Sequence, residues 1–190
     1  MADPSGRLEQ GDAVLVVDVQ PDFCPGGALP VAGGDEVIPP LNAWLRAARG
    51  RGVPVYASRD WHPPGHPSFR EQGGPWPPHC VQDTPGAAYH PDLQLPEEVV
   101  KVAKGVRLDR DQYSAFDETG LAVHLRRRGV RRLVVGGLAL DVCVRATVLD
   151  ARKAGFEVLL LRDATRPVDP AAGREALSEM ERAGVKVEDA

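Results

Sequence analysis

The chain has 190 residues, 43% hydrophobic and 26% charged, with a formal net charge of −4. This suits a single domain spanning 1–190 with its core at about 12–187, and it excludes a broad basic surface for nucleic acid. No apolar run approaches the ~18 residues of a membrane span. Residues 1–6 lack a signal-peptide core, and three cysteines cannot all pair, so a cytoplasmic protein without membrane partners is expected.

Residues 1–11 read as a loose lead-in. The nearly continuous apolar run at 12–19 predicts a strand covered on both faces. A Pro- and Gly-rich loop at 21–34 precedes a helix over 37–49, where Val37, Leu41, Trp44, Leu45 and Ala48 recur at helical spacing and Gly50 and Gly52 end the run. Trp44 belongs to the core on this spacing. A second strand follows at 53–58. The irregular stretch 59–96 carries His62, His66, His79, Trp61 and Trp76, and a loop this long inside a compact domain is usually functional. A third strand at 97–103 runs into Lys104, and a polar loop continues to 117. Then come a helix at 119–128, a strand at 133–136, a helix at 141–154, a strand at 157–161, a helix at 170–183 and a short strand at 185–187. The alternation predicts an α/β fold with a doubly wound parallel sheet and helices on both faces. The arginines at 126–128 and 131–132 read as a solvated face near a helix C-terminus.

In a parallel sheet the carboxyl ends of the strands share one crevice, so Asp18, Lys104 and Cys143 are expected to meet there. Cys143 falls at a helix start after Gly136-Gly137, where backbone N–H groups favour a thiolate and can hold an oxyanion. Asp18 is the natural base, and Lys104 the natural partner of both anions. Singly, each has an ordinary reading: a core cysteine, a turn aspartate, a solvated lysine. Their convergence favours nucleophilic catalysis. Asp60 and His62, at i and i+2, share one side of an extended segment, with His66 and His79 downstream. Such an Asp/His set suits zinc, iron or manganese, and the lack of paired cysteines excludes a zinc finger. His66 stays open between metal ligand and turn hydrogen bond. Phe23, Trp76 and Tyr113, in loops after strand ends, are read as a wall for a flat ring or as residues folded onto the surface. Cys24 and Cys80 are read as packing residues.

The segments Asp18-Val19-Gln20-Pro21-Asp22-Phe23-Cys24, Asp60-Trp61-His62-Pro63, Trp76-Pro77-Pro78-His79-Cys80, Lys104-Gly105, Tyr113-Ser114-Ala115-Phe116 and Gly136-Gly137-Leu138-Ala139-Leu140-Asp141-Val142-Cys143 stand in this order. Together they resemble the nicotinamidases of the isochorismatase-like cysteine hydrolases, over about 12–163. The resemblance implies a three-layer α/β/α isochorismatase-like hydrolase fold with six parallel strands in the order 3-2-1-4-5-6. It implies hydrolysis of nicotinamide to nicotinate and ammonia through a cysteine thioester, a step of NAD salvage, with pyrazinamide as a second substrate. Carried onto this chain, the triad is Asp18, Lys104 and Cys143. The oxyanion hole is the backbone N–H of Ala139 and Cys143, after a cis Leu138–Ala139 peptide. Phe23, Trp76 and Tyr113 bind substrate. Asp60, His62 and His79 hold one divalent transition metal, zinc, iron or manganese, with His66 as the fourth ligand found in some relatives. Leu140, where the family often has Thr or Ala, and the charged stretch 106–112 depart from the pattern, and both are expected to leave the triad untouched but to bear on pocket shape and so on substrate preference. The alternative is a metal-poor cysteine amidase of the same superfamily acting on a carbamoyl or ureido substrate, which the Asp60, His62 and His79 set disfavours. Whether the chain forms a homo-oligomer is left open.

Overall fold

An apolar run whose side chains point alternately to two faces is stable only where both faces are covered. In the computed structural model, which describes residues 4–190, this run is β1 (Asp12–Val17), with every residue buried. Val14 and Val16 pack with α1 (Ile38–Arg51) through Leu41, Trp44 and Leu45. Ala13, Leu15 and Val17 join a second core with α2 (Leu121–Arg127), α3 (Arg145–Lys153) and α4 (Pro170–Arg182) through Leu125, Val148 and Met180. The remaining strands are β2 (Val55–Asp60), β3 (Val100–Lys104), β4 (Arg132–Leu138), β5 (Glu157–Arg166) and β6 (Lys186–Glu188). All pair in parallel, in the expected order β3-β2-β1-β4-β5-β6.

Helix ends follow local chemistry. α1 runs through Gly50 and stops at Gly52, whose left-handed φ of 65° caps it. α4 opens with the Asp169 side chain accepting from Ala172 N–H and with Pro170 at its first position.

Several boundaries differ from expectation for physical reasons. β2 continues to Asp60 because Asp60 pairs with Lys104 of β3. β5 extends to Arg166 because it pairs again with β4 beyond an irregularity, Gly137 with Thr165 and Leu138 with Arg166. The helix expected from 141 begins as a π-helical turn, Leu140–Val144, and becomes α-helical at Arg145. The lead-in is not loose where it is described: Pro4–Arg7 forms a 3₁₀ turn, and Leu8 is buried in the α1-side core. Among the described residues, no helix is long and apolar enough to cross a membrane.

The strand order reverses between β1 and β4, which opens a crevice at their carboxyl ends. Gly137 makes this approach feasible. Its φ is 127°, and a Cβ there would stand 2.0 Å from Val17 O.

Candidate active site

Strand register makes the first contact. Asp60 and Lys104, the last residues of β2 and β3, lie side by side, with Lys104 Nζ 2.6 Å from Asp60 Oδ1. Asp18 directly follows β1. Its φ of 48° is uncommon outside glycine but tolerated by aspartate. Its N–H donates to Ser58 O at 3.2 Å, Ser58 Oγ donates to its Oδ1 at 2.7 Å, and Lys104 Nζ is 2.7 Å from its Oδ2. Cys143 arrives on the π-helical turn after β4, with Sγ accepting from Lys104 Nζ at 3.4 Å. Asp18, Lys104 and Cys143 thus meet, all buried.

Burial pushes the Cys143 thiol well above the ordinary cysteine value; Lys104 opposes the rise, and the Asp18 and Asp60 charges add to it. Desolvation of the buried sulfur thus opposes the thiolate that the helix start favours, and Lys104 is the group that offsets it. Burial also raises Asp18, against Lys104 and Ser58. Burial works against the Lys104 charge, but Asp18 and Asp60 outweigh it and hold the ammonium well above the ordinary lysine value. Burial thus raises both the thiol and the carboxyl, and the Lys104 ammonium touches both.

Beside this group, Asp60, His62 and His79 bring ligand-type atoms within 4.8 Å of one another, all from buried residues. His62 Nδ1 lies 3.0 Å from His79 O, and His79 Nδ1 lies 2.8 Å from Pro77 O. A carbonyl only accepts, so each ring carries its proton on Nδ1 and leaves Nε2 bare. His62 Nε2 is buried without a hydrogen-bond partner. A Cβ on Gly105 would stand 2.6 Å from that nitrogen and 3.3 Å from Asp60 Oδ1, so the glycine keeps the cradle clear. One carboxylate oxygen and two imidazole nitrogens fit a divalent transition metal. Burial holds His79 below the ordinary histidine value, in the neutral, ligating form. Burial pulls His62 down as well, but Asp111, Asp60 and the His79 carbonyl outweigh it and leave His62 raised. His66 Nδ1 is 2.7 Å from Ser68 Oγ, and His66 falls in a second group with His62 and Asp111.

An open cleft leads to Cys143, lined by Phe23, Trp76 and Tyr113 together with Val31, Val142 and Val168. Trp76 Nε1 donates to Tyr113 OH at 3.0 Å, tying the loop after β2 to the loop after β3. The aromatic and apolar walls suit a small flat molecule.

With this geometry in place, similarity to known proteins has a physical meaning. Residues 12–190 match the isochorismatase domain model. The chain belongs to the isochorismatase family. Among curated relatives of this family, the nicotinamidase of Escherichia coli K12 is 39% identical, over 90% of this chain and 92% of that one. A pyrazinamidase of Pyrococcus horikoshii, solved in complex with zinc, is 49% identical with a TM-score of 0.92, covering 95% of this chain and 99% of its own. PnC1 of L. infantum, solved in complex with nicotinate, is 42% identical with a TM-score of 0.88, covering 94% of this chain and 92% of its own.

In this family member the charged stretch 106–112 was expected to leave the triad untouched, and it does not. Gln112 O accepts from Lys104 Nζ at 3.4 Å, while Asp111 lines the cleft, in keeping with the expected bearing on pocket shape. The reason is that the loop folds back across the carboxyl end of β3, pinned by Gln112, whose Oε1 accepts from Val106 N–H and whose Nε2 donates to Asp117 O. Leu140, the other departure, is buried in the core shared with α4. The Leu138–Ala139 peptide is cis. Sequence reasoning also passed over four positioning groups. Ser58 braces Asp18. Gln20 accepts from Asp60 N–H at 2.8 Å and donates to Asp60 O and Ala87 O, clamping the metal-side strand end. Asp22 accepts from Cys80 N–H at 2.7 Å next to His79. Phe69 packs its ring against His62, His66 and His79. The available signal was a polar residue inside an apolar strand for Ser58, and a buried polar group beside a strand end for Gln20.

Proposed function

We propose that the chain is a cysteine amidase that hydrolyses nicotinamide to nicotinate and ammonia, takes pyrazinamide as well, and serves NAD salvage in the cytoplasm. The observation that carries this reading is the single cleft in which Cys143, Asp18 and Lys104 adjoin a metal-type Asp/His cradle beneath an aromatic wall. Its similarity to nicotinamidases and to a nicotinate-bound structure supports the same substrate class.

Asp60, His62 and His79 would hold zinc, or iron or manganese in its place, and the bound ion supplies a Lewis-acid anchor for the pyridine nitrogen. Phe23 and Trp76 flank the ring. Asp18 takes the Cys143 proton, and Lys104 stabilises the sulfur as it becomes anionic. The sulfur attacks the amide carbon, forming the C–S bond. The N–H groups of Ala139 and Cys143 hold the oxyanion, at roughly 3–4 kcal/mol per strong donor. Asp18 passes its proton to the amide nitrogen, the C–N bond breaks and ammonia leaves. Water then attacks the thioester, giving its proton to Asp18. The C–S bond breaks, nicotinate leaves and the proton returns to sulfur.

The deciding experiment is ammonia release from nicotinamide, with and without a chelator, beside Cys143→Ala. Release that disappears in the variant and falls on chelation is expected. Turnover that survives in Cys143→Ala would overturn the mechanism, and no release from nicotinamide would overturn the substrate.

A further inference from the structure

Asp111 stands in none of the roles above, yet it faces both halves of the cleft. Its Oδ1 lies 3.6 Å from His62 Nε2, the nitrogen that is buried without a hydrogen-bond partner. With His62 and His66 it forms a second group of ligand-type atoms within 4.8 Å, sharing His62 with the first. His66 Nε2 is likewise buried without a hydrogen-bond partner. Tyr113, which lines the same cleft, accepts from Trp76 Nε1 through its hydroxyl. The carboxylate is held in place, because Gln112 N–H donates to Oδ1 at 2.8 Å and Gln112 is buried.

Asp111 and Tyr113 both line the cleft. A carboxylate so close to a bare, buried imidazole nitrogen adds negative charge where a dication would sit.

We propose that Asp111 is a positioning residue that sets the metal affinity of the Asp60, His62 and His79 cradle. The proposal deepens the amidase reading of this site, and metal affinity can be read without turnover. Groups that steady a metal site from outside the ligand set change affinity by about 10–100-fold when removed.

The test is Zn²⁺ affinity at fixed pH, by competition with a chromophoric chelator, for wild type, Asp111→Asn, Asp111→Ser, Asp111→Glu and Tyr113→Phe, each first checked by thermal melting. Asp111→Asn and Asp111→Ser should weaken Zn²⁺ binding about tenfold or more, and Asp111→Glu should recover most of it. Tyr113→Phe should keep the Zn²⁺ affinity. A folded Asp111→Asn or Asp111→Ser protein that binds Zn²⁺ within about twofold of wild type overturns the proposal. Weakened Zn²⁺ binding in a protein that releases no ammonia from nicotinamide would support the metal role and sink the substrate reading instead.

Discussion

At the floor of the cleft, Asp18, Asp60 and Lys104 stand on the ends of three adjacent strands. The mouth, built from Trp76, Asp111 and Tyr113, hangs on two loops joined by the Trp76–Tyr113 hydrogen bond, with Asp111 held by Gln112 N–H within its own loop. Floor geometry is therefore fixed by backbone register, which cannot slip without reversing every buried face. Mouth geometry is fixed by a few polar contacts, each worth about 1 kcal/mol. Substitutions in the floor should remove chemistry or stability. Those in the mouth should alter binding and leave the fold alone.

The sharpest way to break this contrast is at the nucleophile. Cys143→Ala should lower kcat on the order of 10⁴-fold or more in the ammonia assay, with an unchanged melting curve. Lys104→Met comes next. It leaves two carboxylates buried beside each other and should destabilise the fold by about 3–5 kcal/mol, read from urea unfolding. Retention of wild-type stability would show that the ion pairs are dispensable to the floor. Gly105→Ala should empty the metal cradle, since its Cβ would collide with His62 Nε2 and the φ of 67° disfavours alanine. Metal analysis of the purified variant checks this directly.

The pH profile tests the floor more finely. Asp18 must be ionised to accept the thiol proton, so kcat/KM falls as pH drops through its pKa. Burial raises that pKa, so the acid limb should lie above the ordinary aspartate range. The Ser58 hydroxyl favours the charged form, so Ser58→Ala should move the limb higher still. A limb that stays put would remove Asp18 from the role of base. The smallest effect belongs to the mouth. Trp76→Ala should raise KM by roughly 2- to 10-fold with little change in Tm.

The same contrast explains what could be read from the chain alone. The parallel sheet and its order followed from alternating apolar runs and helical repeats together with the resemblance, and Asp18, Asp60 and Lys104 were visible as polar residues at strand ends. Asp111 and Gln112 were not, because their importance comes from a loop folding back over β3, and no periodicity records that. The burial of the Cys143 sulfur was illegible for a related reason. Helix position is local, whereas desolvation depends on everything packed around the sulfur. Ser58 and Gln20 fall between these cases, since each is an isolated polar residue near a strand end whose partner lies in another strand.

β1 carries a consequence for how the protein is made. Its central place in the sheet depends on β4, which pairs Asp12 with Arg132 and so lies about 120 residues further along the chain. While the ribosome is still working through that interval, β1 can pair with β2 but has no partner on its other edge. That edge belongs to a strand buried along its whole length in the finished fold. It is a sticky template for other nascent chains, so yield in the cell should depend on how quickly synthesis delivers β4.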